Sequence, residues 1–296
     1  MPSLKEIRGR IASIRNISQI TRAMELVAAS RMKRAQEAIL AARPYADELK
    51  SALSRVSQAV GEEVDPLLAR RPVHHIGLIV MTTDRGLAGA LDTNTVRAAL
   101  RYISEQAGGR NGQGPVEVSA ITVGRKGREQ LRRAGVPIAA HFPRLGDRPG
   151  FADVTPIARL VSEDFLEGTF DEIALVYPGF ISTLTQRPTV TTLLPVPRPA
   201  DLDPEEAERT DEYLIEPSPE AVLSRLLPHY VAVDMYRAVL ESNASEQSAR
   251  MIAMRSATDN ANELMGDLTL VYNKTRQATI TREMIEIASG AEALGG

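Results

Sequence analysis

The sequence predicts a small α/β domain inserted between two long terminal helices that pair as an antiparallel coiled coil. Apolar residues recur at helical spacing from Leu4, the middle of the chain alternates strand-like and helix-like segments, and helical spacing returns from Pro219. A helix of about 70 residues would be roughly 105 Å long, which is too long to lie within a domain of 130 or so residues. Its natural partner is therefore the other terminal helix.

The N-terminal coiled-coil helix is predicted over residues 1–60. A second apolar series, from Ala35 to Ala59, alternates steps of three and four residues as a coiled-coil seam does. Pro44 predicts a kink or a new helix start near Arg43. The first series of seam positions consists of Leu4, Ile7, Ile11, Ile14, Ile17, Ile20, Met24 and Val27.

The central α/β domain is predicted over residues 73–198. Strand patterns occupy 73–86, 116–124, 171–180 and 188–196. One helical pattern begins at Asp92, and two others occupy 125–135 and 155–168. Thr155 is expected to cap the last of these helices, with Pro156 in its first turn. The alternation indicates a sheet that is at least partly parallel.

The region after the domain is predicted as an acidic, Pro-rich loop over residues 199–218. Residues 199–220 carry nine acids against one Arg, with room for one strand at 212–217. The C-terminal coiled-coil helix then covers 219–290 and pairs with 1–60; Pro228 is where it would bend. Its predicted seam consists of Ala261, Leu264, Leu268, Val271, Thr275, Ala278, Arg282 and Ile285.

Composition excludes several classes of function. The chain has no Cys, which rules out disulfides, zinc thiolates and a cysteine nucleophile, and its net charge of −3 does not suit a basic nucleic-acid binder. No apolar run could span a bilayer and no signal peptide is apparent, so a soluble cytoplasmic or matrix-type protein is expected. The four histidines, His74, His75, His141 and His229, lack metal-ligand spacing. We expect no metal, no cofactor and no catalytic residue.

The stretch "SEQSARMIAMRSATDNAN" at 245–262 reads as helix but contains few large apolar residues. Its small side chains allow close packing on the N-terminal helix, with a small or polar outer surface. Residues 1–36 carry eight Lys or Arg against two Glu, so a partner with acidic loops is expected to hold the helix pair.

The two ends carry long motifs of a known family. The segment "SLKEIRGRIASIRNISQITRAMELVAASRMKRAQ" at the start and "ESNASEQSARMIAMRSATDNANEL" with "LVYNKTRQATITREMIEIASGA" at the end resemble the gamma subunit of F-type ATP synthase, as does "TTDRGLAGALDTN" at 82–94. The resemblance implies a Rossmann-like central domain and a rotor shaft inside a ring of three alpha and three beta subunits. It also implies the epsilon subunit and the c-ring as partners at the foot, no nucleic acid, and a peripheral position on the cytoplasmic side of a bacterial plasma membrane.

The same resemblance implies residues that contact the alpha/beta ring. They lie in "AMELVAAS", in the basic stretch after it, in "SEQSARM" and in "TRQATIT". A solvated helix face is the alternative for Arg31, Lys33, Arg34 and Arg250. The alternative for Arg276 and Gln277 is the polarity of a helix C-terminus, and that for Met24 is an ordinary seam position. The residues carried over are Met24, Arg31, Lys33, Arg34, Arg250, Arg276, Gln277 and Thr281.

The segment "DRGLAGALDTN" allows two interpretations. Glycines between a strand and a helix can bind phosphate, but Gly86 and Gly89 do not complete either phosphate-loop motif. We therefore expect a structural turn at Asp84, Gly86 and Gly89 that permits close packing, with Asp92 or Thr93 capping the next helix.

Two other classes of protein remain as alternatives to a shaft. An α/β nucleotide-binding enzyme with helical arms would bind ATP or a dinucleotide. A coiled-coil protein that binds nucleic acid through its basic N-terminal face would show salt-dependent DNA binding.

Overall fold

The computed structural model describes residues 3–60, 65–108, 114–197 and 215–294. Within these ranges it has five α-helices, one short 3-10 helix and five strands. The helices are α1 Leu4–Ala59, α2 Leu91–Ala107, α3 Arg125–Arg133, α4 Phe151–Leu166 and α5 Pro219–Leu294, with the 3-10 helix at Pro66–Leu68. The strands are β1 His75–Met81, β2 Glu117–Val123, β3 Ile138–Phe142, β4 Glu172–Phe180 and β5 Gln186–Leu194.

The five strands form one mixed sheet in the order β3-β2-β1-β4-β5. β1 pairs in parallel with both β2 and β4, and β3 is parallel to β2. Only β5 is antiparallel, because it returns from β4 through a short turn. The predicted class, an α/β sheet between two long helices, is therefore confirmed.

The sheet is covered on both faces, so its central strands are almost wholly apolar. Ile76, Leu78 and Val80 of β1 pack toward α2 and α3. Ile79 and Met81 point to the opposite face, where they join α4 and the neighbouring parts of α1 and α5. Side chains alternate because successive residues of a strand face opposite sides.

Several element boundaries differ from the sequence prediction. β3 was not predicted, since its five residues lie between Pro137 and Pro143 and carry a short pattern. α4 begins at Phe151 rather than Thr155: Gly150 precedes it, and its N–H donates to the Asp153 carboxylate at 2.8 Å. Pro156 therefore lies inside the helix.

Both terminal helices continue through their internal prolines. α1 includes Pro44 and α5 includes Pro228, so no new helix starts at Arg43. Most of the predicted acidic loop, including residues 212–214 of its expected strand, lies outside the described residues.

Contacts divide the chain into two compact units. We call Met1–Ala28 with Met251–Gly296 the helical unit, and Ala29–Arg250 the mixed unit. The mixed unit contains the sheet together with the inner parts of α1 and α5. The predicted domain boundaries, which separate both helices from the sheet, stay a prediction.

Candidate partner-binding surfaces

The seam that α1 contributes to the helical unit is only partly the predicted one. Its sheltered positions alternate steps of three and four: Leu4, Ile7, Ile11, Ile14, Ser18, Thr21, Glu25 and Ala28. The prediction followed apolar residues instead and was wrong after Ile14. Ile17, Ile20 and Val27 are 52%, 59% and 51% exposed, because each lies one position before a seam residue.

The α5 seam shows the same one-residue difference at several positions, whereas the predicted Ala261, Leu268 and Thr275 do lie in the seam. Its sheltered positions are Met254, Thr258, Ala261, Met265, Leu268, Tyr272, Thr275 and Thr279. The predicted Leu264, Val271 and Ile285 are 49%, 46% and 60% exposed, and Ala278 and Arg282 are exposed too. The observed seam is therefore rich in hydroxyl groups.

Polar side chains in this seam bind one another. Ser18 Oγ donates to Asn262 Oδ1 at 2.8 Å, and the Thr21 and Thr258 hydroxyls share a hydrogen bond of 2.7 Å. The buried Glu25 pairs with Arg22 of the same helix at 3.0 Å and, across the seam, its Oε1 lies 3.7 Å from Arg255 Nε. Because sheltered polar groups are costly only when unpaired, these pairs make a polar seam stable and fix its register.

The register determines where the helix pair ends. Arg8 donates to the Tyr272 hydroxyl at 2.7 Å, and the partner's number falls to 262 as the α1 number rises to 18. The helices are thus antiparallel, and the first residues of α1 lie opposite the region of Arg276. Among the described residues, none of α1 lies opposite the last turns of α5.

Large apolar side chains are exposed over much of the helical unit. On α1, Ile17, Ile20 and Val27 form a stripe outside the seam. On the last turns of α5 the exposed set is Ile280, Met284, Ile285 and Ile287, which are 46%, 65%, 60% and 72% exposed. This contradicts the expectation of a small and polar outer surface, and such clusters are typical of protein–protein contact sites.

The residues predicted to contact partners fall into two groups. Arg276, Gln277, Thr281, Lys33 and Arg34 are exposed, and Met24 is half-buried beside the seam. Arg31 and Arg250, in contrast, bind acids of this chain. Arg31 Nη1 is 2.7 Å from Asp147 Oδ2, and Arg250 Nη2 is 2.7 Å from Glu246 Oε1.

Arg250 also faces the loop after β1. Its side chain is only 11% exposed, and its Nη2 lies 3.5 Å from the carbonyl oxygens of Arg85 and Gly86. Sequence reasoning did not identify Asp147 as the partner of Arg31 or Glu246 as the partner of Arg250, and it missed Arg144, which binds both acids. Glu246 stands four residues before Arg250, which is the spacing of a helical ion pair, so that signal was present.

The small side chains of "NASEQS" in α5 explain how this helix can be enclosed. Asn243, Ala244, Ser245, Glu246, Gln247 and Ser248 are all buried. Ser248 Oγ donates to the Thr183 carbonyl at 2.7 Å and lies 3.4 Å from Met32 Sδ. The small side chains of Ala244, Ser245 and Ser248, all 0% exposed, let neighbouring elements of the mixed unit pack closely on this segment.

The loop after β1 is held by its own carboxylates. Asp92 accepts from the Thr83 N–H at 2.8 Å and from its hydroxyl at 2.7 Å, and Asp84 accepts from the Arg125 N–H at 2.8 Å. The prediction that Asp92 or Thr93 caps α2 is therefore wrong. The residue that precedes this helix is Ala90, which provides no side-chain cap. Because these donors are already bound to negative groups, the loop is a poor phosphate site.

The close approach predicted at Gly86 and Gly89 is found elsewhere. A Cβ at Gly86 or Gly89 would meet nothing within 4 Å, although Gly89 has a φ of +58°. At Gly124, in contrast, a Cβ would lie 2.1 Å from the Thr82 carbonyl oxygen, and at Gly127 it would lie 2.7 Å from Thr82 Oγ1. These two glycines pack α3 tightly on the end of β1.

Buried ionisable groups of α5 line a cavity of about 500 Å³ in the mixed unit, between α5 and the Ile39–Lys50 stretch of α1. Burial raises the pKa of Asp234, although Arg237 lies 2.9 Å away. Burial also raises the pKa of Tyr230 to about 12. The raised pKa of Asp234 means that burial of its charged carboxylate costs stability near neutral pH.

Neither a membrane span nor a metal cluster emerges from the part of the chain that the structure describes. No helix there is long and apolar enough to cross a bilayer. Among the same residues, no group of three or more His, Cys, Asp or Glu side chains could hold a metal ion.

Comparison with known proteins agrees with these features. The family model for ATP synthase matches residues 3–294. The ATP synthase gamma chain of Roseiflexus castenholzii is 50% identical over 296 residues, covering 99% of each chain. That of Dehalococcoides mccartyi is 48% identical over 297 residues, covering 99% of this chain and 100% of the relative.

Solved structures give a similar result. A chain of the central stalk and c-ring of Tetrahymena thermophila mitochondrial ATP synthase has a TM-score of 0.59 and 26% identity, over 80% of this chain and 99% of that one. A chain of the Euglena gracilis mitochondrial enzyme has a TM-score of 0.65 at 18% identity, over 98% and 94%, and supports the fold alone. The resemblance inferred from the terminal motifs is confirmed, and this chain belongs to the ATP synthase gamma chain family.

Proposed function

We infer that this chain is the central rotor shaft of an F-type ATP synthase, with three alpha and three beta subunits around the helical unit. The observation that carries this function is an antiparallel helix pair that seals its seam with hydrogen bonds and leaves large apolar side chains outside. The chain itself performs no bond chemistry. It acts by contact with the subunits that do.

The exposed side chains make the shaft's surface uneven. Ile17, Ile20 and Val27 form an apolar stripe on α1, whereas basic residues such as Arg22 and Arg255 are exposed nearby. A surrounding ring would therefore meet a different surface at each angle of the shaft. A contact that differs between conformational states shifts their populations, which is how rotation would drive catalytic sites through their states in turn.

Arg276, Gln277 and Thr281 are proposed as direct contacts with the alpha/beta ring. All three are exposed on the part of α5 that passes the start of α1. Lys33 and Arg34 are proposed on the same basis of exposure, and Met24 is proposed because it lies half-buried beside the seam, next to these contacts. For Arg31 and Arg250 the proposal is narrower: a beta carboxylate would have to compete with Asp147 or Glu246.

The remaining partners follow from the family. The mixed unit is proposed to meet the epsilon subunit and the c-ring, so that proton flow through the ring turns the shaft. The gamma chains of bacteria such as Roseiflexus castenholzii match this chain over almost its full length. We therefore place it at the bacterial plasma membrane, peripheral on the cytoplasmic side.

Co-expression with alpha and beta subunits tests this function. The expected product is an ATP-hydrolysing complex whose native mass fits one copy of this chain with three of each partner. A control variant, Arg159→Gln on the exposed face of α4, should assemble equally well because, within the described residues, the ion pair it loses is the local one to Glu163. A chain that stays alone, folded and able to bind nucleotide would contradict the proposal and favour an enzyme.

A further inference from the structure

Arg144 joins the sheet to α5. It lies in the loop between β3 and α4, and its guanidinium uses three different nitrogens. Nε is 2.7 Å from Glu246 Oε2, Nη2 donates to Asn243 Oδ1 at 3.1 Å, and Nη1 donates to Asp147 Oδ1 at 2.9 Å.

Asp147 extends the same network to α1. Its Oδ2 lies 2.7 Å from Arg31 Nη1, and its carbonyl oxygen accepts from Asn243 Nδ2 at 3.3 Å. One loop thus binds both long helices of the mixed unit. We call this group the Arg144 junction: Arg31, Arg144, Asp147, Asn243, Glu246 and Arg250.

The junction is sheltered from water at its centre. The Glu246 side chain is 7% exposed and that of Arg144 is 18% exposed. Burial lowers the pKa of Arg144, but Glu246 and Asp147 outweigh it, so the pKa is raised. Sheltered charge pairs are screened less than exposed ones.

Directional contacts resist a different motion from apolar packing. Apolar side chains of α1, α4 and α5 also join the sheet to the helices, but the hydrophobic effect has no preferred direction. A planar guanidinium with three partners fixes both position and orientation. A twist of the helices relative to the loop would break or lengthen several of these bonds together.

We propose that Arg144 is a positioning residue for rotary coupling, which locks the β3–α4 loop to α1 and α5 so that torque passes between sheet and helices without slack. This inference rests on the proposed function as a rotor shaft. It also gives Arg31 and Arg250 an internal role, since both guanidiniums end on acids that Arg144 binds.

Single-molecule rotation of the assembled complex tests the inference. The chain has no Cys, so Arg101→Cys on the exposed face of α2 provides one attachment point for a bead, with alpha and beta fixed to the surface. In a nucleotide-free pause, Arg144→Gln should raise the variance of the bead's angular fluctuation about twofold, because the guanidinium's directional bonds are lost. Arg144→Lys keeps the positive charge but not the planar guanidinium. Its angular variance should lie between those of the unmodified complex and Arg144→Gln.

Proton pumping per ATP hydrolysed, measured in membranes, is the second readout and should fall in the order of these variants. Arg159→Gln is the matched control, because it breaks a 2.7 Å ion pair within α4 alone, and it should change neither readout. An assembled Arg144→Gln complex with unchanged stiffness and unchanged pumping would overturn the inference.

If Arg144→Gln does not assemble, the same stiffness measurement on Asp147→Asn tests the inference. Asp147 is 39% exposed, so its replacement is tolerated more easily, and it removes the charge that links Arg31 with Arg144. Unchanged stiffness in that variant would also overturn the inference. Failure of the unmodified chain to assemble or rotate would instead overturn the proposed function.

Discussion

The same two helices behave differently in the two units. In the mixed unit, α5 has an enclosed segment, the run from Asn243 to Ser248, in which every residue is buried. In the helical unit, α5 shelters one narrow seam and exposes Leu270 and Ile287 at 70% and 72%. Helix formation is therefore a poor guide to what a helix packs against. The mixed unit is stabilised by its own core, whereas the helical unit leaves apolar area for other proteins.

The largest expected effect is on the mixed unit's core. Leu53→Ala on α1 should lower the free energy of unfolding by about 2–5 kcal/mol, because Leu53 is 1% exposed and its loss leaves a cavity. Leu26→Ala is the matched control on the same helix in the helical unit, where Leu26 is 60% exposed. Urea unfolding of the isolated chain measures both. Equal losses would show that the two units are not stabilised differently.

Removal of the chain from Glu283 onward tests the same comparison of the two units, now by a change in the helical unit. It deletes Met284, Ile285 and Ile287, which are mostly exposed in the chain alone. The cooperative melt of the mixed unit should stay unchanged, while the assembled complex loses torque and dissociates at least roughly tenfold faster, since each apolar side chain buried by a partner stabilises by about 1.5–3 kcal/mol. A truncated chain that loses the melt would contradict this division.

Replacing Arg276 and Gln277 with Leu tests direct contact with the ring. Both residues are exposed on α5, so the isolated chain should keep its stability. Coupled ATP turnover in the assembly should fall severalfold because charged and amide contacts with beta are lost. Arg282→Leu, which is also exposed but lies on a different face of α5 from both residues, serves as the control. Turnover equal to that of the unmodified complex would remove these two residues from the proposed contacts.

The polar seam predicts a smaller, non-additive effect. Thr21→Val or Thr258→Val alone removes the hydrogen bond between the helices and should cost about 1 kcal/mol, while the remaining hydroxyl can still donate to the carbonyl of Ser18 or Met254. The double variant loses the same single bond and should cost no more than either single variant. Hydrogen exchange of the neighbouring amides in both helices gives the four values of the cycle. Additive costs would mean that the two hydroxyls do not depend on each other.

The smallest expected effect concerns Asp147 and pH. Burial raises its pKa, but the hydrogen bond and charge of Arg144, with the charges of Arg31 and Arg85, lower it overall. Its contribution to stability is therefore present above the unfolded pKa of about 3.9 and is lost as pH falls through the folded value. Asp147→Asn should flatten the acid side of the stability profile. Identical profiles would show that the network does not act through this carboxylate.

The sequence alone determined the long terminal helices, four of the five strands and the family, because each depends on local spacing or on long motifs. It also determined that Arg276, Gln277 and Thr281 lie on the last part of the C-terminal helix. What only the tertiary structure decided is which side each helix presents. The seam contains Ser18, Thr21 and Glu25, and it leaves Ile17, Ile20 and Val27 exposed. The reason is that the register is set by the sum of contacts along both helices, not by the polarity of single residues. Arg31 also turns inward, because Asp147 reaches it only once the β3–α4 loop has folded against α1, whereas Arg250 pairs with Glu246 at the helical spacing already present in the sequence.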